Sequence, residues 1–339
     1  EGTFLKKGSL SPSKPPPRPP KTFDLIESLF ERMRATRRAG RQGQFFEKRT
    51  LKEEIMEILR AKTAGFCMGV GLALRKLDQA LKEYPGTGEG RLVMLGPIIH
   101  NPQVLDAYTR LGVVCAHSLA DVRPGDTVVI RAHGIPRDDE ARLLGIGARV
   151  LDATCPRVKQ AQISIDEATR PGTSLYLFGE AEHPEVRGLV SYANSPCAVF
   201  GSLGELEAMQ TFREEQDVVL AAQTTQERGE FEAIRKRLES AHSLVVLDTI
   251  CDATRRRQQE AQALSQRAEA MIVVGGRSSG NTRRLADVAK SCGIPVWHIE
   301  IPEELPLEEL KGYAVVGLTA GASTPKSLID AAQRALETL

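Results

Sequence analysis

The sequence predicts an α/β fold made of three related units around a shared centre. Two patterns carry this prediction: apolar runs alternate with amphipathic stretches along the chain, and one order of features occurs three times. The size of the chain is consistent with this fold, because 339 residues with 41% apolar and 26% charged side chains can bury a sizeable core. These proportions exclude a disordered or collagen-like chain.

The first 54 residues differ from the rest of the chain. Six of the 19 prolines fall between Pro12 and Pro20. Residues 1–60 also carry 14 Lys or Arg against 8 Asp or Glu, a net of +6. Pro cannot continue a helix interior, so we expect residues 1–54 to form a basic, Pro-rich tail that is disordered or contains one short helix.

From residue 55 onward, short runs rich in Val, Leu and Ile predict buried strands. They lack polar alternation, which is typical of parallel sheets covered on both faces. The clearest runs are RLVMLG, DTVVIRAHG, ARVLDATC, SLYLFGE, QDVVLAAQ, LVVLDTIC, AMIVVGG and YAVVGLTAG, with amphipathic helical stretches between them. We assign residues 55–150 to the first α/β unit, 151–246 to the second and 247–339 to the third.

Each unit contributes one cysteine, which the pattern places at the end of a strand. Cys67, Cys155 and Cys251 lie 88 and 96 residues apart, and a helix follows each. One polar loop lies 33, 28 and 28 residues beyond the three cysteines, and a second polar loop ends a later strand. The loop residues are His100, His183, Glu185, Ser279 and Asn281 in the first set, and His133, Thr224 and Ser323 in the second. Parallel sheets bind ligands at the carboxyl ends of their strands, so we expect one shared site.

Three thiolates from separate units favour an iron–sulfur cluster with one iron open to substrate. Structural zinc sites usually take close pairs such as C-x₂-C, which this sequence lacks. The other cysteines, Cys115, Cys197 and Cys292, fall at predicted strand starts and are predicted core residues. Six sparse cysteines do not make a disulfide scaffold, so we expect a reducing, cytoplasmic location.

The polar loops indicate an anion site with one acid. Three of the six histidines fall at strand ends, whereas His117, His242 and His298 do not. Imidazole, hydroxyl, amide and helix-start N–H groups together suit a phosphate. Glu185 in HPEV is the candidate general acid if burial and a neighbouring phosphate raise its pKa. Thr224 either bonds a substrate hydroxyl or caps the next helix.

Charge and hydropathy exclude two partner classes. The formal net charge is +1, which gives no overall attraction to nucleic acid. No stretch approaches the roughly 20 apolar residues of a membrane span. We therefore expect neither a nucleic-acid nor a membrane partner.

Nine segments in order carry a family resemblance: AKTAGFCMGV, IIHN, RAHGIP, LDATCP, EHPEVRG, QTT, DTIC, SSGNTRRLA and LTAGASTP. From about Met56 to the C-terminus, the chain resembles the 4-hydroxy-3-methylbut-2-enyl diphosphate reductases of the non-mevalonate isoprenoid pathway. The resemblance implies three α/β units around a central 4Fe-4S cluster. It also implies a two-electron reductive dehydroxylation of this allylic diphosphate to isopentenyl and dimethylallyl diphosphates, the last step of that pathway.

The resemblance also implies a role for each matched residue. Cys67, Cys155 and Cys251 correspond to the three cluster ligands, which leave one iron open. The diphosphate site corresponds to His100, His133, Ser279, Asn281 and Ser323, with His183 at its edge. Glu185 resembles the proton donor, and Thr224 the residue near the substrate hydroxyl. No flavin or nicotinamide motif is present, so a separate donor such as ferredoxin or flavodoxin must deliver the electrons.

One position departs from the family pattern, and two alternatives stay open. Gly280 stands where family members often have Ser, so we expect a weaker or rearranged diphosphate contact through its backbone N–H. Quinolinate synthase also uses three α/β units and a three-cysteine cluster, but as a lyase and without the HPEV and SSGN arrangement. The other alternative is a phosphate-binding module without a cluster, in which the cysteines are core residues.

Overall fold

The computed structural model describes residues 56–84, 90–209 and 217–339, so the tail predicted for residues 1–54 lies outside the described part. Strands and helices alternate along it. The strands are β1 (Glu57–Arg60), β2 (Leu92–Leu95), β3 (Val114–Ala116), β4 (Thr127–Ile130), β5 (Arg149–Asp152), β6 (Thr173–Phe178), β7 (Cys197–Phe200), β8 (Asp217–Ala222), β9 (Leu244–Val246), β10 (Ala270–Val274), β11 (Val296–Ile299) and β12 (Val315–Ala320). The helices are α1 (Met68–Glu83), α2 (Pro102–Arg110), α3 (Arg137–Ile146), α4 (Pro156–Ala168), α5 (Pro184–Val190), α6 (Leu203–Ala208), α7 (Arg228–Glu239), α8 (Asp252–Ser265), α9 (Gly280–Ser291), α10 (Leu307–Leu310) and α11 (Lys326–Leu336).

The strands form three four-stranded sheets with one common strand order. The orders are β3-β2-β4-β5, β7-β6-β8-β9 and β11-β10-β12-β1. Every pairing is parallel. The predicted α/β fold with three small parallel sheets is therefore confirmed.

Edge strands connect the three sheets in a cycle. Two of these strands, β1 and β5, do not fit the predicted unit boundaries. Strand β1 falls in the predicted first unit, residues 55–150, but pairs with β12 of the third sheet. Strand β5 crosses the predicted boundary at residue 150 and completes the first sheet. Each of the three site cysteines thus follows an edge strand of the preceding sheet, and the start of the described chain closes the cycle.

Burial separates central strands from edge strands. All residues of β2, β6 and β10 are buried, whereas β1, β5 and β9 are partly exposed. Helices cover the central strands on both faces, which is why their sequences read as continuous apolar runs.

Each site cysteine begins a helix rather than ending a strand. The preceding strands end at Arg60, Asp152 and Val246, and Cys67, Cys155 and Cys251 are the N-cap residues of α1, α4 and α8. Each thiol therefore lies at the end of a short loop between strand and helix. The predicted position at the end of a strand is wrong.

The other three cysteines are only partly buried, and two of them lie at the predicted strand starts. Cys197 begins β7 and Cys115 is the second residue of β3, whereas Cys292 is the C-cap of α9. Burial raises the pKa of the Cys197 thiol to about 12. That thiol packs against the core of the second sheet and stays protonated.

Gly69 is needed where α1 and α4 meet. A Cβ at Gly69 would lie 2.4 Å from the Sγ of Cys155, whereas one at Gly145 in α3 would have no atom within 4 Å. We expect Gly69→Ala to lower the free energy of unfolding by about 1–3 kcal/mol, because the overlap must push the two helix starts apart. Chemical denaturation measures this change.

Gly145→Ala is the matched control, because both glycines lie in helices. Helix propensity alone favours Ala at both positions by about 0.5–1 kcal/mol. We expect Gly145→Ala to be neutral or stabilising. A stabilised Gly69→Ala protein would show that the two helix starts are not in tight contact.

Candidate active site

All twelve predicted site residues line one cavity of about 100 Å³, whose walls come from all three units. These residues are Cys67, His100, His133, Cys155, His183, Glu185, Thr224, Cys251, Ser279, Gly280, Asn281 and Ser323. The convergence follows from topology, because loops after the carboxyl ends of parallel strands carry nearly all of them.

Three contacts close a ring of helix starts around the cysteines. Gly69 of α1 lies against Cys155. Arg157 of α4 forms an ion pair with Asp252 of α8, at 3.5 Å. The Nη2 of Arg257 in α8 donates to the Gly65 carbonyl, just before Cys67, at 2.8 Å. The amino ends of α1, α4 and α8 therefore surround the three thiols.

The surroundings of Cys155 favour its neutral thiol over the thiolate. Burial raises the pKa of Cys155, the N–H groups of Arg157 and Val158 lower it, and the neighbouring Cys67 and Cys251 raise it again. Several thiolates this close repel one another, and a bound metal centre would remove that repulsion. The Cys67 Sγ likewise accepts from the Val70 N–H at 3.4 Å.

The second half of the cavity holds a cluster of three imidazoles. The ring centroids of His100, His133 and His183 lie 4.5, 5.2 and 5.4 Å apart. Burial is the largest cause that lowers their pKa values, to about 4 for His100 and His183 and well below the usual value for His133. At neutral pH all three rings are neutral.

Two of these rings keep buried nitrogen atoms free for a ligand. The Nε2 of His100 and the Nδ1 of His133 have no hydrogen-bond partner within the described part of the chain. The Nδ1 of His183 accepts from the Glu185 N–H at 3.1 Å, so its proton lies on Nε2. Ligand nitrogens of the three rings lie within 4.8 Å of one another, a spacing that suits either one anion or one metal ion.

Diphosphate binding is expected to take up protons at neutral pH. An anion raises the pKa of each imidazole it contacts, from about 4 for His100 and His183 in the free protein. At a pH between the pKa of the free protein and the raised pKa of the complex, binding takes up on the order of one proton. The affinity for the anion therefore falls as pH rises. Calorimetry with inorganic pyrophosphate in two buffers of different ionisation enthalpy measures the uptake.

His298 provides the control for this measurement. Its ring lies outside the cavity and its Nε2 contacts the Gly275 carbonyl at 2.8 Å. We expect His100→Gln to reduce the proton uptake and His298→Gln to leave it unchanged. Binding without proton uptake in the unmodified protein would mean that the histidines act only as neutral donors.

The start of α9 and the loop after β12 complete the anion side. Ser279 is the N-cap of α9, and its Oγ accepts from the Thr282 N–H at 3.3 Å. The Nδ2 of Asn281 is buried without a partner among the described residues. Ser323 donates its hydroxyl to the His100 carbonyl at 3.0 Å, which links the first and third units.

Glu185 is a buried acid next to these donors. Its side chain is 2% exposed, and its Oε1 accepts from the Thr224 N–H at 2.6 Å. Burial raises the pKa of Glu185, and the contacts with Thr224 and the charge of Arg284 only partly offset it. Burial, one of the two predicted conditions for a general acid, is therefore present, and the role of Glu185 stays a prediction. Thr224 positions this carboxyl group, a contact that the sequence did not indicate.

The chain matches the family described as LytB protein over residues 58–337. A 4-hydroxy-3-methylbut-2-enyl diphosphate reductase of Nitratidesulfovibrio vulgaris (strain DP4) is 55% identical over 291 residues, which cover 84% of this chain and 100% of that relative. The chain belongs to the LytB family of 4-hydroxy-3-methylbut-2-enyl diphosphate reductases. A reductase of Anaeromyxobacter sp. (strain K) is 37% identical over 279 residues, covering 81% of this chain and 96% of that relative.

Solved structures agree with this LytB-family assignment. A reductase described as the terminal enzyme of the non-mevalonate pathway superposes with a TM-score of 0.60 and 37% identity, over 84% of this chain and 100% of that chain. The Plasmodium falciparum reductase shares the fold, with a TM-score of 0.75 at 23% identity over 81% of this chain and 86% of that chain. The predicted family and enzyme class are confirmed, and the alternative of a quinolinate-synthase-like lyase is not supported.

A second carboxylate, which the sequence pattern did not indicate, lies beside this cavity. Glu180 precedes His183 in the same loop and pairs with Arg283 at 2.7 Å and Arg284 at 3.0 Å. Burial raises the pKa of Glu180, but the two guanidinium groups outweigh it and hold the pKa below the usual value. The pKa values of two carboxyl groups in one loop are thus shifted in opposite directions, which favours the protonated form of Glu185 and the ionised form of Glu180.

Gly280 lies against this pair of charges. A Cβ at Gly280 would lie 2.9 Å from the Nη1 of Arg284 and 3.7 Å from the Oε1 of Glu180. The absence of a side chain therefore lets the guanidinium of Arg284 approach the start of α9. The predicted rearrangement of the diphosphate contact at Gly280 stays a prediction.

Arg257 is a further residue of this cavity that the sequence pattern concealed. It is 6% exposed and lines the cavity. Burial lowers its pKa, and the charges of the nearby Cys67 and Cys251 offset this only in part. The run of three arginines, 255–257, reads as a solvated helix face. Helical spacing from the buried residues Thr254 and Ala261 was the available signal, since it places Arg257 on their face.

Proposed function

We propose that this chain catalyses the two-electron reductive dehydroxylation of 4-hydroxy-3-methylbut-2-enyl diphosphate to isopentenyl and dimethylallyl diphosphates. One observation carries the proposal: three cysteines, a buried carboxyl group and a set of anion donors line the same cavity. The names of the relatives agree with this substrate. No helix of the described residues is long and apolar enough to cross a bilayer.

The cysteine ring fits one 4Fe-4S cluster held by Cys67, Cys155 and Cys251, with one open iron. All three thiols are free and partly accessible, and N–H groups at the helix starts point toward Cys67 and Cys155. Such N–H groups stabilise thiolate and sulfide charge. When bound, the cluster supplies electrons and a Lewis-acidic iron.

His100, His133, Ser279, Asn281 and Ser323 would hold the diphosphate, with His183 at its edge. Buried free nitrogens on His100, His133 and Asn281 provide hydrogen bonds that an anion would accept. The hydroxyl and amide groups beside the imidazoles favour this anion over a metal ion at the histidine cluster. Binding of the diphosphate orients the allylic hydroxyl toward Thr224 and Glu185.

Glu185 would donate the proton with which the hydroxyl leaves as water. Burial raises its pKa and so favours the protonated carboxyl, and the Thr224 N–H holds it in place. A second proton must reach either end of the allyl fragment, which explains two products. The diphosphate of the substrate is the proposed source, because Glu180 is held in the ionised form. Burial of the cavity walls excludes water from this step.

Iron and sulfide analysis after anaerobic purification tests the proposal. We expect about four irons per chain. Mössbauer spectra should show one iron site that shifts when the allylic diphosphate is added, and reduced methyl viologen should support turnover. The absence of iron and sulfide after anaerobic reconstitution would instead favour the phosphate-binding module without a cluster. A loaded cluster without turnover would reject this substrate.

Electrons must come from a separate donor, since the sequence shows no flavin or nicotinamide motif. We propose a small carrier such as ferredoxin or flavodoxin, and a cytoplasmic location in keeping with free thiols. The expectation of no nucleic-acid and no membrane partner stays a prediction.

A further inference from the structure

We infer that the exposed side chains around the starts of α1, α4 and α8 form the docking surface for a small acidic electron carrier. We call this surface the cysteine face and define it by Met68, Pro156, Arg157, Asp252, Arg255 and Arg256, all of which are exposed. The inference rests on the proposed function, because it concerns the partner that reduces the same site.

The residues of the cysteine face lie next to the three site cysteines along the chain. Met68 follows Cys67 directly, Arg157 is two residues beyond Cys155, and Asp252 follows Cys251. The Arg157–Asp252 pair and the contact of Gly69 with Cys155 hold these helix starts together. Electron transfer slows steeply with distance, so a carrier docked here has a short path to any cluster bound by the thiols.

Charge on the cysteine face opposes that of the surrounding protein. Residues 61–339 carry 31 Lys or Arg against 36 Asp or Glu, a net of −5. The face has three arginines and one acid, and Asp252 already pairs with Arg157 at 3.5 Å and with Arg255 at 2.8 Å. The amino ends of three helices add partial positive charge. An acidic partner is therefore steered to this face rather than to the rest of the protein.

An apolar side chain completes the surface. Met68 is 63% exposed, more than the other large exposed apolar side chains of the described residues, Leu144, Ile163 and Val245. A flexible thioether ringed by arginines suits a transient contact, because it adapts to differing partners. Electron-transfer encounters bury little area, so a face of this size is sufficient.

Charge reversal on the cysteine face tests the inference. We would compare the unmodified chain, the double variant Arg255→Glu/Arg256→Glu and the control Arg142→Glu. Arg142 in α3 is 66% exposed and pairs with Asp139 three residues away, as Arg255 pairs with Asp252. The control therefore loses the same kind of local ion pair outside the face.

Two readouts separate docking from catalysis. Calorimetry with a purified acidic flavodoxin at low ionic strength gives the Kd, and turnover is measured with flavodoxin and separately with reduced methyl viologen. We expect the double variant to weaken flavodoxin binding by about tenfold, and the control to change it by less than about twofold. Viologen-driven turnover should be unchanged in both variants, and high salt should remove the difference in binding.

Several outcomes would overturn the inference. These are unsaturable flavodoxin binding by the unmodified chain, equal binding by the double variant, or an equal loss in Arg142→Glu. A parallel loss of viologen-driven turnover would indicate damage to the site instead of the docking surface. Failure of the unmodified chain with viologen would reject the proposed function, while the binding measurement would still decide whether the cysteine face docks the carrier.

Discussion

Glu185→Gln is expected to lower turnover of the allylic diphosphate by about two to four orders of magnitude, the usual contribution of a general acid. Gln keeps the size and the acceptor oxygen that bonds the Thr224 N–H at 2.6 Å, but it has no acidic proton. Iron content and thermal stability should stay near those of the unmodified chain. Anaerobic steady-state kinetics with reduced methyl viologen measures the effect.

The pH profile adds a second readout for Glu185. Burial raises its pKa, so the acidic form persists to a higher pH than for an exposed Glu. Turnover of the unmodified chain should fall as pH rises through that raised pKa, because the proton needed by the leaving hydroxyl is then lost. The residual turnover of Glu185→Gln should lack this alkaline limb.

Glu180→Gln provides the matched control in the same loop. Its carboxylate is ionised and pairs with Arg283 and Arg284, so its loss releases two guanidinium groups but removes no acidic proton. We expect a smaller fall in turnover and an alkaline limb that persists. If Glu180→Gln abolished turnover while Glu185→Gln stayed near normal, the proton donor would be Glu180.

The shared site could be predicted from sequence because its parts repeat. Cys67, Cys155 and Cys251 stand at matching places in three similar units, and parallel strands bring their following loops to one edge. The repeat therefore indicated convergence before any contact was known. The pairing of the edge strands could not be predicted in this way, since β1 pairs with β12 near the far end of the chain. Nothing in a four-residue strand specifies which sheet it joins.

The supporting charges of the site could not be predicted in the same way. Glu180 and Arg284 are 104 residues apart, and their contact depends on how the second and third units pack. Arg257 is buried because α8 turns that side chain toward the cysteines, while Arg255 and Arg256 on the same helix face solvent. Such roles depend on helix phase and on neighbours from other units, which local patterns do not record.

Cys155→Ser is expected to remove most of the bound iron and sulfide, by about tenfold or more, and turnover with them. Serine keeps the helix start but replaces a thiolate by a hydroxyl, a poor ligand for iron–sulfur clusters. Iron and sulfide analysis with visible absorption of the anaerobic protein measures the loss. The fold should persist, because Cys155 is only partly buried.

Cys197→Ser makes the same substitution at a thiol outside the cavity, so it separates ligation from the general effect of losing sulfur. Burial raises the pKa of Cys197 to about 12, and its thiol packs against the core of the second sheet. We expect full iron content there, with a stability loss of about 1 kcal/mol or less, because the hydroxyl is only partly buried against that core. The ring of helix starts predicts that only the cavity thiols hold the cluster. A normal iron content in Cys155→Ser would therefore contradict the ligand assignment, as would an equal loss of iron in Cys197→Ser.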